Sequence, residues 1–201
     1  MLRIGLTGGL ATGKSFVGEQ LGRLGCRILR SDDLGHAVLE PGGEAYQPVL
    51  DAFGGAILLA DGRIDRRRLA GIVFGDEAKL KLLNSIVHPA VFSREEAWMQ
   101  QVEDDDPCAL AVVEAAILIE TGSYRRFQKL VVAACSEPQQ IERAMARDGL
   151  TRDEAQARIS RQMPIEEKKR FADYLIDTSR TTDDTIAQVK HLYGSLRSLN
   201  A

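Results

Sequence analysis

The chain has little cysteine. Its three thiols, Cys26, Cys108 and Cys135, are odd in number and far apart, and no C-x-x-C pair occurs. That argues against a disulfide framework or a zinc site and fits a reducing cytosol, so a cytoplasmic setting is expected. A charge excess of one sign is also missing: Lys and Arg number 26 against 29 Asp and Glu, a formal net charge of −3 over 201 residues. General nucleic-acid binders carry a basic face or tail, so no nucleic-acid partner is expected. No apolar run reaches the roughly 18 residues of a spanning helix. "MLRIGLTGG" has no long apolar leader or small-residue cleavage site, and no membrane contact is expected. Internal repeats and low-complexity linkers are lacking too. What remains, 44% hydrophobic and 27% charged, is the make-up of an ordinary globular core domain, with room for a smaller insertion.

"LRIGLTG" is a short apolar run closed by glycines, expected to form a buried parallel strand. "KSFVGEQLGRLG" sets Phe16, Val17, Gln20, Leu21 and Leu24 near helical spacing and stops at Gly25; "CRILRSD" is a second strand. Strand, glycine loop, helix and strand make a βαβ unit and hence a parallel sheet. Residues 34 to 101 read as mostly helical, broken at "EPGGEA", "FGGA" and "ADGR". Strand character returns at 108–120 ("CALAVVEAAILIE") and 129–135 ("KLVVAAC"). A charged helical pair follows, with Ser136 a candidate cap for the first helix and Thr151 with Glu154 a capping box for the second. "ADYLIDTS" and "TDDTIAQVKHLYGSL" supply a last strand and an amphipathic helix. The expected fold is a three-layer α/β core with two helical excursions, its ligands beyond the carboxyl ends of the strands.

Gly8-Gly9-Leu10-Ala11-Thr12-Gly13-Lys14-Ser15 matches G-x-x-x-x-G-K-[ST]. The glycines let the backbone curl with its N–H groups around a β-phosphate, and the helix start adds its positive end. Lys14 reaches the β/γ-phosphates, and the Ser15 hydroxyl ligates Mg²⁺. The motif lies after a strand and before a helix, as this mechanism requires, so nucleotide binding is expected. A GTPase switch would need N-K-x-D, which is absent, and an ATPase motor a longer chain. A small-molecule kinase needs an acceptor site, a carboxylate near the acceptor hydroxyl and a closing lid with arginines.

Candidates for all three are present. Asp32 and Asp33 follow the second strand; such carboxylates serve equally as proton acceptor, Mg²⁺-ordering group or helix cap. His88-Pro89 is expected to end one helix and begin another, with His88 a ligand contact or a cap. His36 reads as a surface or packing residue, and His191 as solvated. The second excursion carries Arg143, Arg147, Arg152, Arg158 and Arg161. They fit a solvated face or a phosphate-neutralising lid, with Arg143 and Arg147 one turn apart on one face.

Together these stretches resemble the dephospho-coenzyme A kinase family from end to end. "IGLTGGLATGKS", "DDLGH" (32–36), "DGRIDRRRLAGIVF" (61–74), "LNSIVHPAV" (83–91), "ILIETG" (117–122) and the run 140–177, with "RxxxQMPxxxK" and "ADYxID" in register, carry the likeness. The resemblance implies a P-loop NTPase core with a parallel five-stranded sheet (1–33, 104–136 and 171–201), a helical acceptor domain (34–103) and a helical lid (137–170). It implies transfer of the ATP γ-phosphoryl group to the ribose 3′-hydroxyl of dephospho-coenzyme A with Mg²⁺, in a monomer or small homo-oligomer. Asp32 matches the general base, and Arg66 and His88 acceptor-pocket residues. Gly9, Leu10, Ala11, Thr12, Gly13, Lys14, Ser15 and Phe16 match the nucleotide loop, with Ser15 the metal ligand, and Arg143 and Arg147 the lid cations. The chain also departs from the family pattern. Ala11, Thr12 and Phe16 replace Gly, Ser and Thr; Arg30 replaces the first acid of D-A-D; "AILIE" keeps Glu120 but loses Pro and Phe; Thr178 and Arg180 replace residues that shape the adenine pocket. Two other readings stay open: a small P-loop kinase acting on a nucleoside monophosphate-like acceptor, and a nucleotide-binding protein with impaired catalysis.

Overall fold

The expected strand–loop–helix–strand start is β1 (Leu2–Gly8), α1 (Lys14–Arg23) and β2 (Arg27–Arg30). In the computed structural model the described residues are 1–73 and 75–200, so Phe74, the end of the "DGRIDRRRLAGIVF" stretch, lies outside them. Four helices follow: α2 (Ser31–Ala37), α3 (Tyr46–Phe53), α4 (Arg66–Val73) and α5 (Glu77–Asp105). The remaining strands are β3 (Leu110–Glu114), β4 (Lys129–Ala134) and β5 (Tyr174–Asp177). Between β4 and β5 lie α6 (Glu137–Asp148), α7 (Arg152–Ile159) and the single turn α8 (Ile165–Lys168), and α9 (Thr182–Leu199) closes the chain.

All strands are parallel, in the order β2-β3-β1-β4-β5. β1 thus lies between two strands that come much later in the chain, and the crevice beyond its carboxyl end is the switch point where such sheets bind ligands. Continuous apolar runs form β3 and β4 because both sheet faces are covered. Ile4, Leu6, Val112, Val131 and Ile176 pack on Val17 and Leu21 of α1 and on Val189, Leu192 and Leu196 of α9. Fully burying such side chains stabilises the fold by about 1.5–3 kcal/mol each.

The chain divides into two compact units, residues 1–30 with 99–201, and residues 31–98. The second has its own apolar centre, with Val49, Ile57, Ile64, Leu69 and Val73 packed by Leu80, Leu83 and Ile86. A smaller cluster joins Val38, Ala45 and Val91.

Two expectations are corrected. His88-Pro89 does not separate two helices; α5 runs through Pro89 for 29 residues. Proline removes one ladder hydrogen bond, while Ile86, Val87 and Val91 on either side stay packed against the unit's centre. The run 108–120 is a strand only over Leu110–Glu114, beyond which the chain turns. An unbroken apolar run does not distinguish a buried strand from a buried turn. The helix caps are where local chemistry puts them: Ser136 with Gln139 at α6 and Thr151 with Glu154 at α7. A third box, Thr181 with Asp184, starts α9.

Candidate functional site

The loop from Gly8 to Gly13 joins β1 to α1 with almost no spare space. A Cβ on Gly8 would lie 2.4 Å from Thr12 Oγ1 and 2.6 Å from the Ala133 carbonyl. Gly13 has φ 81°, a left-handed angle natural to glycine. Ala11, with φ 54°, is the one non-glycine at positive φ among the described residues. The departure at position 11 thus places a methyl group where the backbone favours glycine, a strain of roughly 1–2 kcal/mol. Apolar packing holds it there: Leu10 and Ala11 lie against Ile141 and Ala144 of α6 and Ala155 of α7.

Lys14 and Ser15, the first residues of α1, converge on a single carboxylate. Lys14 Nζ lies 2.7 Å and Ser15 Oγ 2.6 Å from Glu114 Oε1. Glu114 ends β3, and sheet register pairs it with Leu6 on one side and Arg30 on the other. It is 3% exposed. Its other oxygen, Oε2, is buried without a hydrogen bond and lies 3.9 Å from Arg30 Nε. Composition and motif spacing did not single out Glu114; the visible signal is an apolar strand run closed by an acid. A hydroxyl beside a carboxylate oxygen is a hard oxygen set that suits Mg²⁺, which takes few protein ligands and completes its shell with substrate phosphates.

A cavity of about 270 Å³ adjoins the loop, lined by Gly13, Phe16, Arg143, Thr178, Arg180 and Thr182. Arg143 donates to the Thr178 carbonyl at 2.6 Å and to Thr178 Oγ1 at 3.3 Å. Thr178 Oγ1 in turn donates to the Thr12 carbonyl at 2.7 Å. Phe16, Thr178 and Arg180, three of the departures, therefore share this cavity. Arg147, one turn on, is instead held in two 2.8 Å hydrogen bonds by its neighbour Asp148.

In the helical unit, Asp32 and Asp33 lie in the first turn of α2 and are exposed. Ser31 opens that helix, its hydroxyl 2.6 Å from the buried carboxylate of Glu95. Arg66, at the start of α4, donates to His36 Nε2 at 2.5 Å. His36 is exposed, as expected, and its ring meets the Arg66 guanidinium of α4. His88 lies half-buried in α5, its ring 5.8 Å from that of Phe92. Burial lowers its pKa below the usual imidazole value, against the opposing pull of Glu95.

Two of the three cysteines, Cys26 and Cys135, are buried. Burial pushes the Cys26 thiol up to about 12, against Arg197, and raises that of Cys135. All three cysteines are free, and no cluster of three metal-ligating side chains occurs among the described residues. Nor is any described helix long and apolar enough to cross a membrane.

The parallel sheet, the phosphate loop at its switch point and the lysine–serine–carboxylate cluster define a P-loop kinase. The profile of the dephospho-CoA kinase family matches residues 2–184, and the chain belongs to that family. It is 40% identical over 196 residues to dephospho-CoA kinase of Aquifex aeolicus, covering 98% of each chain. It is 42% identical to the enzyme of Carboxydothermus hydrogenoformans over 92% of this chain and 90% of that one. Among solved structures it resembles TT1252 from Thermus thermophilus, at TM-score 0.83 and 31% identity over 97% of both chains. Shikimate kinase from Acinetobacter baumannii, at TM-score 0.54 and 16% identity over 99% of this chain and 94% of that one, shares the fold.

Proposed function

We propose that the chain transfers the γ-phosphoryl group of ATP to the ribose 3′-hydroxyl of dephospho-CoA, yielding CoA and ADP, the last step of CoA synthesis. The observation that carries the reading is end-to-end likeness to dephospho-CoA kinases joined to a loop whose Lys14 and Ser15 meet on Glu114. The donor side belongs to the Gly9–Phe16 stretch: its backbone N–H groups and the start of α1 hold phosphate oxygens, and Lys14 leaves Glu114 to meet them. Phe16 and Arg180 border the space for the nucleobase. Arg143 lines the same cavity, so we give the nucleotide contact to Arg143 and leave Arg147 with Asp148. Ser15 and Glu114 would hold Mg²⁺, which when bound neutralises charge on the transferring phosphates.

On the acceptor side, the 3′-hydroxyl loses its proton as its oxygen bonds to phosphorus. Asp32 accepts it, being exposed and carrying no hydrogen bond or ion pair among the described residues. Arg66, oriented by His36, and His88 bind the acceptor. The reading includes a cytoplasmic setting and a monomer or small homo-oligomer, with no nucleic-acid partner. An acceptor panel with Mg·ATP tests it. Dephospho-CoA is expected to exceed AMP and other nucleoside monophosphates by at least about a hundredfold in kcat/KM, since a site built for acceptor polar groups rejects analogues that lack them. A preference for AMP would overturn it.

A further inference from the structure

Lys168 is fully buried, and a lysine tolerates that only when its ammonium is paired and hydrogen-bonded. Its Nζ lies 2.7 Å from Glu120 Oε1, 2.7 Å from the Ala116 carbonyl and 3.3 Å from the Gly8 carbonyl. Those three acceptors use all three ammonium protons. Burial draws the ammonium below the usual lysine range, with Glu120 opposing and the charge of Lys14 adding to the downward pull. Two of these partners bear on the phosphate loop and the strand that leads into it, and the third anchors the segment that carries Lys168. Gly8 opens the loop; Ala116, two residues past Glu114, also accepts from Thr7 Oγ1 at 3.2 Å; Glu120 accepts from the Met163 backbone at 3.1 Å. In the same segment, Gln162 Oε1 accepts from the Leu10 N–H at 2.8 Å. One stretch, residues 162–168, therefore grips the loop at a carbonyl and an N–H from outside the G-x-x-x-x-G-K-[ST] motif. Between those grips and α1 sits Ala11, whose left-handed backbone persists only where its surroundings over-determine it.

We propose that Gln162 and Lys168 are positioning residues that fix the phosphate loop in the shape that receives the donor nucleotide, making ATP affinity depend on where the segment 162–168 sits. The proposal rests on the reading of ATP as donor, and it assigns neither residue a contact with substrate.

Lys168→Met removes the charge and all three donors at similar length; Gln162→Met removes the acceptor for Leu10. Each is compared with wild type by ATP calorimetry, by KM for ATP and for dephospho-CoA, and by hydrogen exchange at the Leu10 amide. Loss of a charge-assisted hydrogen bond predicts ATP Kd and KM about tenfold higher in Lys168→Met, and about threefold or more in Gln162→Met. KM for dephospho-CoA should stay within about twofold, since uniform-binding losses fall on the ligand whose site changed. The Leu10 amide should lose protection in Gln162→Met while strand amides keep theirs. Unchanged ATP affinity in both variants, or KM values for both substrates rising in parallel with general loss of protection, would overturn the proposal. If Lys168→Met fails to fold, Gln162→Met, a change at a half-buried side chain, decides alone. Calorimetry keeps the test separate from the functional reading: wild type that binds ATP but makes no CoA sinks that reading and leaves this one to the variants.

Discussion

Around the phosphate loop, Lys14, Ser15, Leu10 and Arg143 each meet a partner distant in sequence: Glu114 for the first two, Gln162 and Thr178 for the others. In the unit of residues 31–98, Asp32 is exposed and Arg66 meets His36 at the surface. On the proposed reading these two sets meet the two substrates in different ways. The loop backbone that meets the donor is, on that reading, held before the nucleotide arrives, and Lys14 exchanges Glu114 for phosphate. On the same reading, Asp32 on the acceptor side stays hydrated and is ordered by the ligand itself. Changes at Lys14 should therefore move stability along with activity, and changes at Asp32 activity alone.

The largest effect should come from Lys14→Ala, which lowers kcat/KM by about a thousandfold in steady-state assays, as loss of a preorganised electrostatic contact does. It should also lower unfolding stability by about 2–3 kcal/mol in urea titration, because the buried Glu114 carboxylate loses its ammonium partner. Equal stability of the two proteins would break the comparison on the donor side. Asp32→Asn comes next: kcat should fall by about a hundredfold or more with the melting temperature unmoved. A lower melting temperature there would make Asp32 structural and break it on the acceptor side.

A smaller effect of opposite sign is expected for Ala11→Gly, which relieves the left-handed strain at the cost of added unfolded-state freedom, a net gain of about 0.5–1 kcal/mol. A loss of stability would show that Ala11 packing outweighs its backbone strain.

The smallest concerns His88. Its folded pKa lies below the ordinary 6.5, so the unfolded chain takes up the proton more readily. Its contribution to stability is complete above about pH 6.5 and fades as pH falls through the lowered folded value. Urea titrations at pH 7 and pH 5 should show a larger loss for wild type than for His88→Gln. Equal losses would place the titration elsewhere.

What is legible directly in the sequence is local. The βαβ start, the G-x-x-x-x-G-K-[ST] loop and the boxes at Ser136 and Thr151 depend on residues a few positions apart, so spacing suffices. Glu114 escaped notice because its importance arises from register, which sets it beside Arg30 and within reach of Lys14. Gln162 and Lys168 lie in the RxxxQMPxxxK stretch, yet the backbone groups they bond are 152 and 160 residues away. The break expected at Pro89 failed for a related reason: a local rule about one missing N–H yielded to the packing of neighbours along α5. At Ala11 the sequence showed the substitution, and only the backbone angle showed its strain.

The central claim is that the Lys14–Ser15–Glu114 cluster serves phosphoryl transfer to a dephospho-CoA hydroxyl. Its most direct test incubates the chain with Mg·ATP and dephospho-CoA and follows ³¹P signals with time. A new 3′-monophosphate ester is expected to grow in step with ADP, and almost none with Lys14→Ala. ADP formed without that ester, or the ester formed at equal rate by Lys14→Ala, would contradict that claim.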